Sequence, residues 1–509
     1  MTFREFIERL LDPPYLRPEP PPPDLPLFCH PERKSALRRF ALRPDELALG
    51  WYTGGAVPDI TLKGILQEHR AAHFYVVGAT RSGKTKFLET LIEQDIRNGL
   101  GFGVIDPHGD LTEDIKGYLW LLSGRSQEFI REKVVLIDPT DKERTVVFNP
   151  LEKTAGESPA RVASELTEAF KKIWHDAWGA RMEHLLKNTL IALVENNLTL
   201  AELHPFLTDP QVRRKVLEEV NHTGCREYFE RFNSLRRNTQ DEWMESTLNK
   251  VDAFLFDPDI KQMLSAPKSS FNLREIMDEG KILLVKLDKG RLKGNADLLG
   301  SLLLAKIQAA AFSRTDSPES KRRKFYLYID EFQNFATESF STMLAEASKY
   351  ELALILAHQN LAQLLPPLRA AILGNCWLQA YFRISRDDAG ILAKESFASL
   401  NSDRPGWEEY IKLLQELRPR ACYVKNKFDG GLIAIQTIDL PPPHELAETD
   451  EDKFAQEIAA CEIGKKYLRE RKEIETAAKV RHDLLVKIDE PESFKVPKHK
   501  PPAIGKPLP

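Results

Sequence analysis

No apolar run in this 509-residue sequence reaches the roughly 18 residues that a membrane-spanning helix needs. The longest candidate, residues 298–312, is shorter and is interrupted by Lys306 and Gln308. The opening segment MTFREFIERLL carries two acidic residues and lacks a small-residue cleavage site, which is not typical of a secretory signal. We therefore expect a cytoplasmic protein without an integral membrane segment.

Cysteine is scarce and scattered. The five cysteines form no C-x-x-C pair, and they are Cys29, Cys225, Cys376, Cys422 and Cys461. This spacing excludes the usual disulfide frameworks and zinc motifs, and it agrees with a reducing compartment.

Neither sign of charge dominates the chain. The 72 basic and 76 acidic residues give a net charge of −4, which excludes a chain that coats nucleic acid by charge alone but leaves room for a local basic channel. A hydrophobic content of 42% and a charged content of 29% fit a soluble globular protein. At roughly 150 residues per domain, the length predicts about three domains.

Changes in composition divide the chain into five segments. Short β-rich runs alternate with helices in two of them, whereas the stretch between those two consists of consecutive helices. We assign 1–45 to an N-terminal helix and proline-rich linker, 46–156 to the first part of an α/β core, 157–265 to an inserted all-α domain, 266–440 to the second part of the core, and 441–509 to a charged helix (about 448–485) and a disordered tail.

Seven apolar runs of strand length mark the α/β segments. They lie at residues 74–78, 102–106, 134–138, 282–287, 325–330, 352–357 and 377–384. Runs without polar alternation suit strands that are buried on both faces of a parallel sheet. With helices between them, they predict an α/β fold with a doubly wound, mostly parallel sheet, as in RecA-like P-loop NTPase cores. A hairpin is expected after them, turning at residues 429–431.

Residues 78–85, GATRSGKT, match the phosphate-binding pattern G-x-x-x-x-G-K-[ST] between a predicted strand and a predicted helix. The glycines let the backbone wrap around phosphate oxygens, toward which the loop amides point. We expect Lys84 to reach the β- and γ-phosphates and Thr85 to bind Mg²⁺. The predicted cofactors are ATP and Mg²⁺, and the predicted binding residues are Gly78, Ala79, Thr80, Arg81, Ser82, Gly83, Lys84 and Thr85.

An acidic pair, Asp330 and Glu331 in the sequence YLYIDEF, stands at the end of the apolar run at residues 325–330. Asp330 is placed to hold Mg²⁺, and Glu331 is placed to polarise a water for in-line attack on the γ-phosphate. An aspartate at a strand end is often only a helix cap, but an Asp-Glu pair in a chain with a phosphate loop indicates hydrolysis. The pair also argues against a small-molecule kinase.

Polar residues follow two further strands. Gln359 is our candidate for a sensor that contacts the γ-phosphate, with a satisfied polar residue at a sheet edge as the alternative. Asp106 begins the DPHGD turn after the strand next to the phosphate loop, and it either lies near Mg²⁺ and the loop or simply forms the turn.

These elements together resemble the HerA and FtsK branch of P-loop ATPases and, more narrowly, the type IV secretion coupling proteins of the TraD and TraG group. The resemblance covers roughly residues 70–440. It rests on GATRSGKT, VIDPHGDL, DAWGARMEHLLKNTL, KSSFNLREIMDEGKILLVKLDKGRL, YLYIDEFQNFATESF and ILGNCWLQAYFRIS. The spacing from Lys84 to Asp330, 330 − 84 = 246 positions, leaves room for the all-α insertion of that family.

The resemblance implies a hexameric ring that uses ATP to translocate double-stranded DNA, located in the cytoplasm and peripherally associated with the inner membrane through a membrane complex or secretion apparatus. Coupling proteins usually begin with membrane-spanning helices, which this sequence does not show. The alternatives are a HerA-like repair translocase or helicase, a ring ATPase for protein export, and an ATP-switched assembly scaffold.

Ring motors need a trans-acting cation that stabilises charge on the transferred phosphoryl group. Arg383 ranks first because it ends a strand near the nucleotide edge, and the other candidates are Arg386, Arg291 and Arg181. Clusters that could contact DNA phosphates are Lys289, Arg291 and Lys293; Arg236 and Arg237; Arg213, Arg214 and Lys215; and residues 321–324, the last expected to be a solvated turn.

Overall fold

The computed structural model describes residues 45–53, 62–154, 156–397 and 407–486. The predicted N-terminal helix and linker, Cys29 and the last part of the tail lie outside these residues. The strands are β1 Glu46–Tyr52, β2 Leu62–Leu66, β3 Phe74–Val77, β4 Gly101–Asp106, β5 Val134–Ile137, β6 Arg144–Val146, β7 Ile282–Lys286, β8 Phe325–Ile329, β9 Leu352–His358, β10 Leu378–Tyr381, β11 Ala421–Asn426, β12 Gly431–Thr437 and β13 Leu468–Glu470.

The α-helices connect these strands. They are α1 Lys84–Arg97, α2 Asp110–Leu122, α3 Gln127–Lys133, α4 Pro159–Ile173, α5 Ala180–Glu195, α6 Leu203–Thr208, α7 Pro210–Glu218, α8 Thr223–Ser234, α9 Arg237–Leu255, α10 Pro258–Met263, α11 Leu273–Glu279, α12 Lys289–Leu292, α13 Gly294–Phe312, α14 Phe340–Glu346, α15 Pro366–Asn375, α16 Arg386–Phe397, α17 Trp407–Glu416, α18 Pro443–Leu446, α19 Glu451–Ala460 and α20 Arg471–Val486.

Eleven strands form one sheet in the order β2-β1-β12-β11-β10-β3-β9-β8-β4-β7-β5. From β10 to β5 all neighbours are parallel, and this part contains the seven predicted runs. The α/β fold class with a mostly parallel sheet is therefore confirmed. The four remaining strands are antiparallel and include the predicted hairpin β11–β12.

Both faces of the parallel strands are covered. In β3, Phe74 and Val76 pack into one hydrophobic cluster with α1, whereas Tyr75 and Val77 pack into the cluster on the opposite face. Every residue of β3, β8 and β9 is buried. This two-sided burial explains why the strand sequences lack polar alternation.

Strands β1 and β2 were not predicted from the sequence. The β1–β2 register shifts between Ala48 and Gly50, and a Cβ atom at Gly50 would collide with the Gln436 backbone. A glycine at such an irregularity weakens the strand signal of a short segment.

Helices α4 to α10 lie between β6 and β7, within the predicted insertion at residues 157–265. Their core is continuous with the core under the sheet, because Leu166 and Phe170 of α4 join the same hydrophobic cluster as Leu299 and Leu303 of α13. The insertion is thus packed against the α/β core rather than attached by a linker alone.

The prediction of one charged helix over about 448–485 is wrong. The segment forms α19, the short strand β13, which pairs antiparallel with β6, and α20. Gly464, in a left-handed conformation at φ +64°, lies in the turns that separate the two helices. Phe454 and Ile458, one turn apart on α19, are buried in the cluster that contains α2. The ordered core therefore extends past the proline run at residues 441–443.

One stretch of the described residues, Gly294–Asp316, is long and apolar enough to cross a membrane, with a mean hydropathy of 1.2. It contains α13, and 78% of its most apolar window is buried inside the protein. This burial is typical of the core helix of a globular protein.

Candidate active site

The phosphate loop connects β3 to α1 at the carboxyl edge of the parallel strands. Gly83 has φ +108°, and a Cβ atom there would lie 2.7 Å from Arg420 Cγ. A Cβ atom on Gly78 would lie 2.5 Å from Phe382 Cβ. Both positions therefore require glycine, because any side chain would collide with a neighbouring residue of the protein.

Three neighbouring strands fix the backbone of this loop. The Gly78 amide donates to the His358 carbonyl at 3.3 Å, and the Ala79 amide donates to the Arg383 carbonyl at 2.7 Å. On the far side, the Arg420 amide donates to the Ser82 carbonyl at 2.7 Å. The loop conformation is thus set by the ends of β9, β10 and β11 before any ligand binds.

Lys84 is the first residue of α1, and its side chain is buried. Its Nζ atom donates to the carbonyls of Gly78 and Ala79, at 2.6 and 3.3 Å. Burial lowers the pKa of Lys84, and the carboxylates of Glu331 and Asp330 oppose this shift. The ammonium group therefore lies against the phosphate loop, close enough to the acidic pair to interact with it, and its contact with the β- and γ-phosphates stays a prediction.

Asp330 directly follows β8, and its carboxylate faces the start of α1. Thr85 Oγ1 donates to Asp330 Oδ2 at 3.4 Å, and the Glu331 amide donates to Asp330 Oδ1 at 2.9 Å. Burial and the neighbouring Glu331 raise the pKa of Asp330 to about 6, while Lys84 opposes the shift. A buried carboxylate of this kind favours a nearby cation.

The donor set fits Mg²⁺. The hydroxyl of Thr85 and the carboxylate of Asp330 are hard oxygen ligands, and Mg²⁺ uses few protein ligands together with water and phosphate. No group of three or more His, Cys, Asp or Glu side chains suited to a metal occurs among the residues that the structure describes. The Thr85 hydroxyl and the Asp330 carboxylate are the groups that could hold the cation, together with water and phosphate oxygens.

Glu331 lies beside this pair with two amide donors on its carboxylate. Gln359 Nε2 donates to Oε1 at 2.9 Å, and Gln333 Nε2 donates to Oε2 at 2.7 Å. Gln359 Oε1 in turn accepts a bond from Thr80 Oγ1 of the phosphate loop at 3.3 Å. Gln359 thus connects the loop to Glu331, which is the position expected of the predicted sensor.

The sheet order explains this meeting point. Strand β9 pairs with β3 on one side and with β8 on the other, so Gln359 follows the strand between the phosphate loop and the acidic pair. The structure therefore brings Lys84 and Thr85 of the phosphate loop together with Asp330 and Glu331, which lie about 245 positions later in the sequence.

Gln333 was missed in the sequence. It lies in the short 3₁₀ turn Phe332–Asn334, two residues after Glu331, which itself has φ +45°. The available signal in the sequence was a polar residue within one turn of the Asp-Glu pair, which could have indicated a partner for the Glu331 carboxylate.

Asp106 does not adjoin the phosphate loop, since β4 pairs with β8 and β7 and not with β3. Its Oδ1 accepts from the His108 amide and its Oδ2 from the Thr112 amide, both at 2.9 Å. These bonds support the turn-forming interpretation. The Asp106 charge also contributes to the raised pKa of Asp330.

The arginine candidates differ in position. The Arg383 carbonyl bonds to the chain's own phosphate loop, and its side chain is partly exposed. Arg386 and Arg181 form exposed ion pairs with glutamates, and Arg291 donates to the Thr140 carbonyl. Arg420, which the sequence analysis did not consider, contacts the loop from β11 and forms an ion pair with Asp439.

Several predicted DNA-contacting residues are engaged within the chain. Lys289 bonds to Asp297 at 2.9 Å, and Arg291 lies 3.4 Å from Asp259. Arg213 is buried and donates to backbone carbonyls of α6. Residues 321–324 form a mostly exposed turn, as expected, in which Arg322 and Arg323 donate to backbone carbonyls of neighbouring segments.

Comparisons with known proteins agree on one group. The family model for the type IV secretion-system coupling protein DNA-binding domain matches residues 60–367, more than half of the chain. No curated protein matches the chain.

Solved structures of the plasmid coupling protein TrwB share the fold. The unbound bacterial conjugative coupling protein TrwBΔN70 superimposes with a TM-score of 0.53 at 16% identity, covering 80% of this chain and 92% of that chain. TrwB in complex with the ATP analogue ADPNP gives 0.54 with the same identity and coverage. TrwB in complex with ADP and Mg²⁺ gives 0.51 at 16% identity, covering 81% and 94%.

Proposed function

The chain belongs to the family of type IV secretion-system coupling protein DNA-binding domains, and on this premise we propose that it is a Mg²⁺-dependent ATPase that translocates double-stranded DNA as a ring. The observation that carries the proposal is the convergence of the phosphate loop with the Asp330–Glu331 pair, seen in the contact of Thr85 with Asp330. Such a convergence is what hydrolysis of a bound nucleoside triphosphate by water requires.

Each residue of the site has a distinct task. The loop amides and Lys84 bind the phosphates, and Thr85 and Asp330 would hold Mg²⁺. Bound Mg²⁺ neutralises charge on the phosphate oxygens. Glu331 orients and polarises the attacking water as general base. Gln359, bonded to both Thr80 and Glu331, reports the state of the phosphate loop to the general base.

Two complexes of one relative support the choice of cofactors. The ADPNP complex and the complex with ADP and Mg²⁺ show that TrwB, which shares this fold, binds these ligands. In the present chain the phosphate loop precedes the amino end of α1, where backbone amides favour a phosphate.

Arg383 remains our candidate for the cation that stabilises the transferred phosphoryl group. Its backbone bond to Ala79 places it beside the chain's own loop, which favours action within one subunit over action across a subunit interface. Arg383→Ala should abolish turnover and leave nucleotide affinity unchanged. Retained turnover would exclude this role.

We propose a homo-oligomeric ring, most simply a hexamer, that contacts duplex DNA through phosphates and without sequence preference. This proposal derives from the family membership, and DNA binding of this kind weakens steeply with salt. We further propose that the ring works in the cytoplasm at the inner membrane, where a secretion apparatus would recruit it. Imaging with a non-hydrolysable ATP analogue and duplex DNA tests the ring, and monomers without DNA would contradict it.

The activity is tested by phosphate release from the full chain with Mg²⁺ and ATP, with and without linear duplex DNA. We expect DNA to stimulate turnover and Glu331→Gln to lower it by about 10²-fold or more, since a general base contributes this much. The matched control is Glu338→Gln, an exposed glutamate on the same segment, which should keep parental turnover.

The outcomes separate the alternatives. A Glu331→Gln variant as active as the parent would exclude the proposed hydrolysis site. Stimulation by unfolded protein instead of DNA would indicate a protein-export ATPase, and slow turnover that neither polymer stimulates would indicate an ATP-switched scaffold.

A further inference from the structure

Helix α4 of the inserted domain reaches the turn that holds Glu331. Lys172, near the carboxyl end of α4, donates from Nζ to the Gln333 carbonyl at 3.0 Å, and the Gln333 side chain donates to Glu331 Oε2 at 2.7 Å. We propose that Gln333 and Lys172 are positioning residues through which the inserted domain restrains the general base. The inference rests on the proposed function and concerns the control of the same site.

The first step of the argument is the state of the Glu331 carboxylate. Each of its oxygens accepts an amide donor, Gln333 on Oε2 and Gln359 on Oε1. These donors occupy two of the roughly four lone-pair sites and fix the orientation of the carboxylate, which limits how a water can approach it. The carboxylate is therefore held, and release of one donor increases its availability to water.

The second step distinguishes the two donors. Gln359 also contacts Thr80, so the position of its side chain depends on the phosphate loop. The backbone carbonyl of Gln333 accepts a hydrogen bond from Lys172, so the position of Gln333 depends on the inserted domain. The two glutamines thus connect the general base to two separate parts of the protein, the loop that binds the nucleotide and the helices that are inserted between β6 and β7.

The third step concerns the strength of the contact with α4. Lys172 is half-buried, and a desolvated ammonium group needs a hydrogen-bond acceptor, which the Gln333 carbonyl provides. Burial lowers the pKa of Lys172 to about 7, with Asp297 opposing and Lys289 adding to the shift. Loss of the hydrogen bond to the Gln333 carbonyl would therefore cost free energy. A displacement of α4 thus also displaces the turn that contains Gln333.

Helix α4 is firmly part of the insertion. Its residues Leu166 and Phe170 are fully buried, and Phe170 packs edge-on against Phe254 of α9 at 6.3 Å between ring centroids. Helix α4 thus packs on α9 of the insertion and on α13 of the core, so a movement of the insertion reaches Lys172 through α4. A DNA or protein partner that moves the insertion would change how Glu331 is held.

The test uses four variants of the full chain: Gln333→Ala, Lys172→Met, Lys172→Arg and the control Lys171→Met. Lys171 is the exposed neighbour, whose ammonium lies 4.0 Å from Glu183. Gln333→Ala should raise kcat without DNA roughly threefold to tenfold, as expected for the loss of one hydrogen bond, and leave the KM for ATP unchanged. Lys172→Met should act in the same direction, and Lys172→Arg and Lys171→Met should match the parent.

A second measurement does not depend on turnover. Amide hydrogen exchange of residues 331–335 without nucleotide should be faster in Lys172→Met than in Lys171→Met. A fall or no change in kcat for Gln333→Ala would overturn the restraint, and equal exchange in the two lysine variants would overturn the coupling to α4. A parent without ATP turnover would refute the proposed function instead, and hydrogen exchange would still decide this inference.

Discussion

Thr85 Oγ1 lies 3.4 Å from Asp330 Oδ2, although 245 positions of sequence separate the two residues. The intervening chain contains the whole helical insertion, which lies between β6 and β7. The contact therefore shows that the two halves of the core close around one site despite the insertion.

Removal of the Thr85 hydroxyl tests this contact. Thr85→Ala should lose most Mg²⁺-dependent turnover, because one of the two proposed protein contacts to the cation disappears. Binding of ATP without Mg²⁺ should change little, since the loop amides and Lys84 remain. Isothermal titration with and without Mg²⁺ measures the difference, and Thr85→Ser, which keeps the hydroxyl, is the control. Equal Mg²⁺ dependence in Thr85→Ala and the parent would contradict the assignment.

The shape of the phosphate loop is tested at Gly83. Gly83→Ala adds a Cβ atom 2.7 Å from Arg420 Cγ at φ +108°, so we expect at least about a tenfold loss of ATP affinity and an unfolding free energy lowered by about 1 kcal/mol or more. Gly99→Ala is the matched control, because φ is also positive there and no described atom lies within 4 Å of the added Cβ. Fluorescent-nucleotide binding and urea unfolding measure both effects. If both variants lose the same affinity, the close approach of Arg420 is irrelevant.

Local patterns predicted the central part of the protein. The phosphate loop needs glycines at fixed spacing, and the Asp330 strand is buried on both faces, so both leave a signal within a few residues. The contacts of Gln359 with Thr80 and Glu331 agree with its prediction as a polar residue after the next strand.

Features that depend on distant partners left no such signal. Arg420 contacts Gly83 only because β11 returns to the sheet, and Lys172 reaches Gln333 only because α4 folds back onto the core. The segment that contains α19 likewise predicted a charged helix, because the partners of its apolar residues on α2 could not be identified from the sequence. Sequence spacing alone contains no information on these long-range contacts.

His73 makes stability depend on pH. Its Nδ1 accepts a bond from the Leu354 amide at 3.0 Å and its Nε2 lies 3.1 Å from the Leu344 carbonyl, so the imidazole is the neutral tautomer with a proton on Nε2. Burial lowers the pKa of His73 to about 4, while the bond to Leu344 opposes the shift. Protonation would place a second N–H against the Leu354 donor.

The sign of the effect follows from this shift. Because the pKa is lower in the folded state than the ordinary 6.5, the stabilisation is complete above about pH 6.5 and is lost as the pH falls toward 4. Between pH 7.5 and 5, His73→Asn should remove about 2 kcal/mol of this pH dependence, and asparagine tolerates the positive φ of the site. Urea unfolding at pH 7.5 and 5 measures it, with exposed His175→Asn as control. The same slope in His73→Asn and the parent would contradict the assignment.

The last prediction concerns Arg471, which attaches the carboxyl-terminal helix α20 to both parts of the core. Its guanidinium donates to the carbonyls of Asp141 and Pro139 beside β5 and to Gln262 Oε1 of the insertion, and it is 7% exposed. Arg471→Ala removes the donor from these three acceptors, of which Pro139 is buried, so we expect a loss of about 3 kcal/mol in unfolding free energy and early proteolysis within residues 461–486. Arg469→Ala is the control, because Arg469 is exposed and donates only to nearby carbonyls of its own segment in the described structure. Equal stability and equal cleavage of the two variants would show that Arg471 does not anchor the helix.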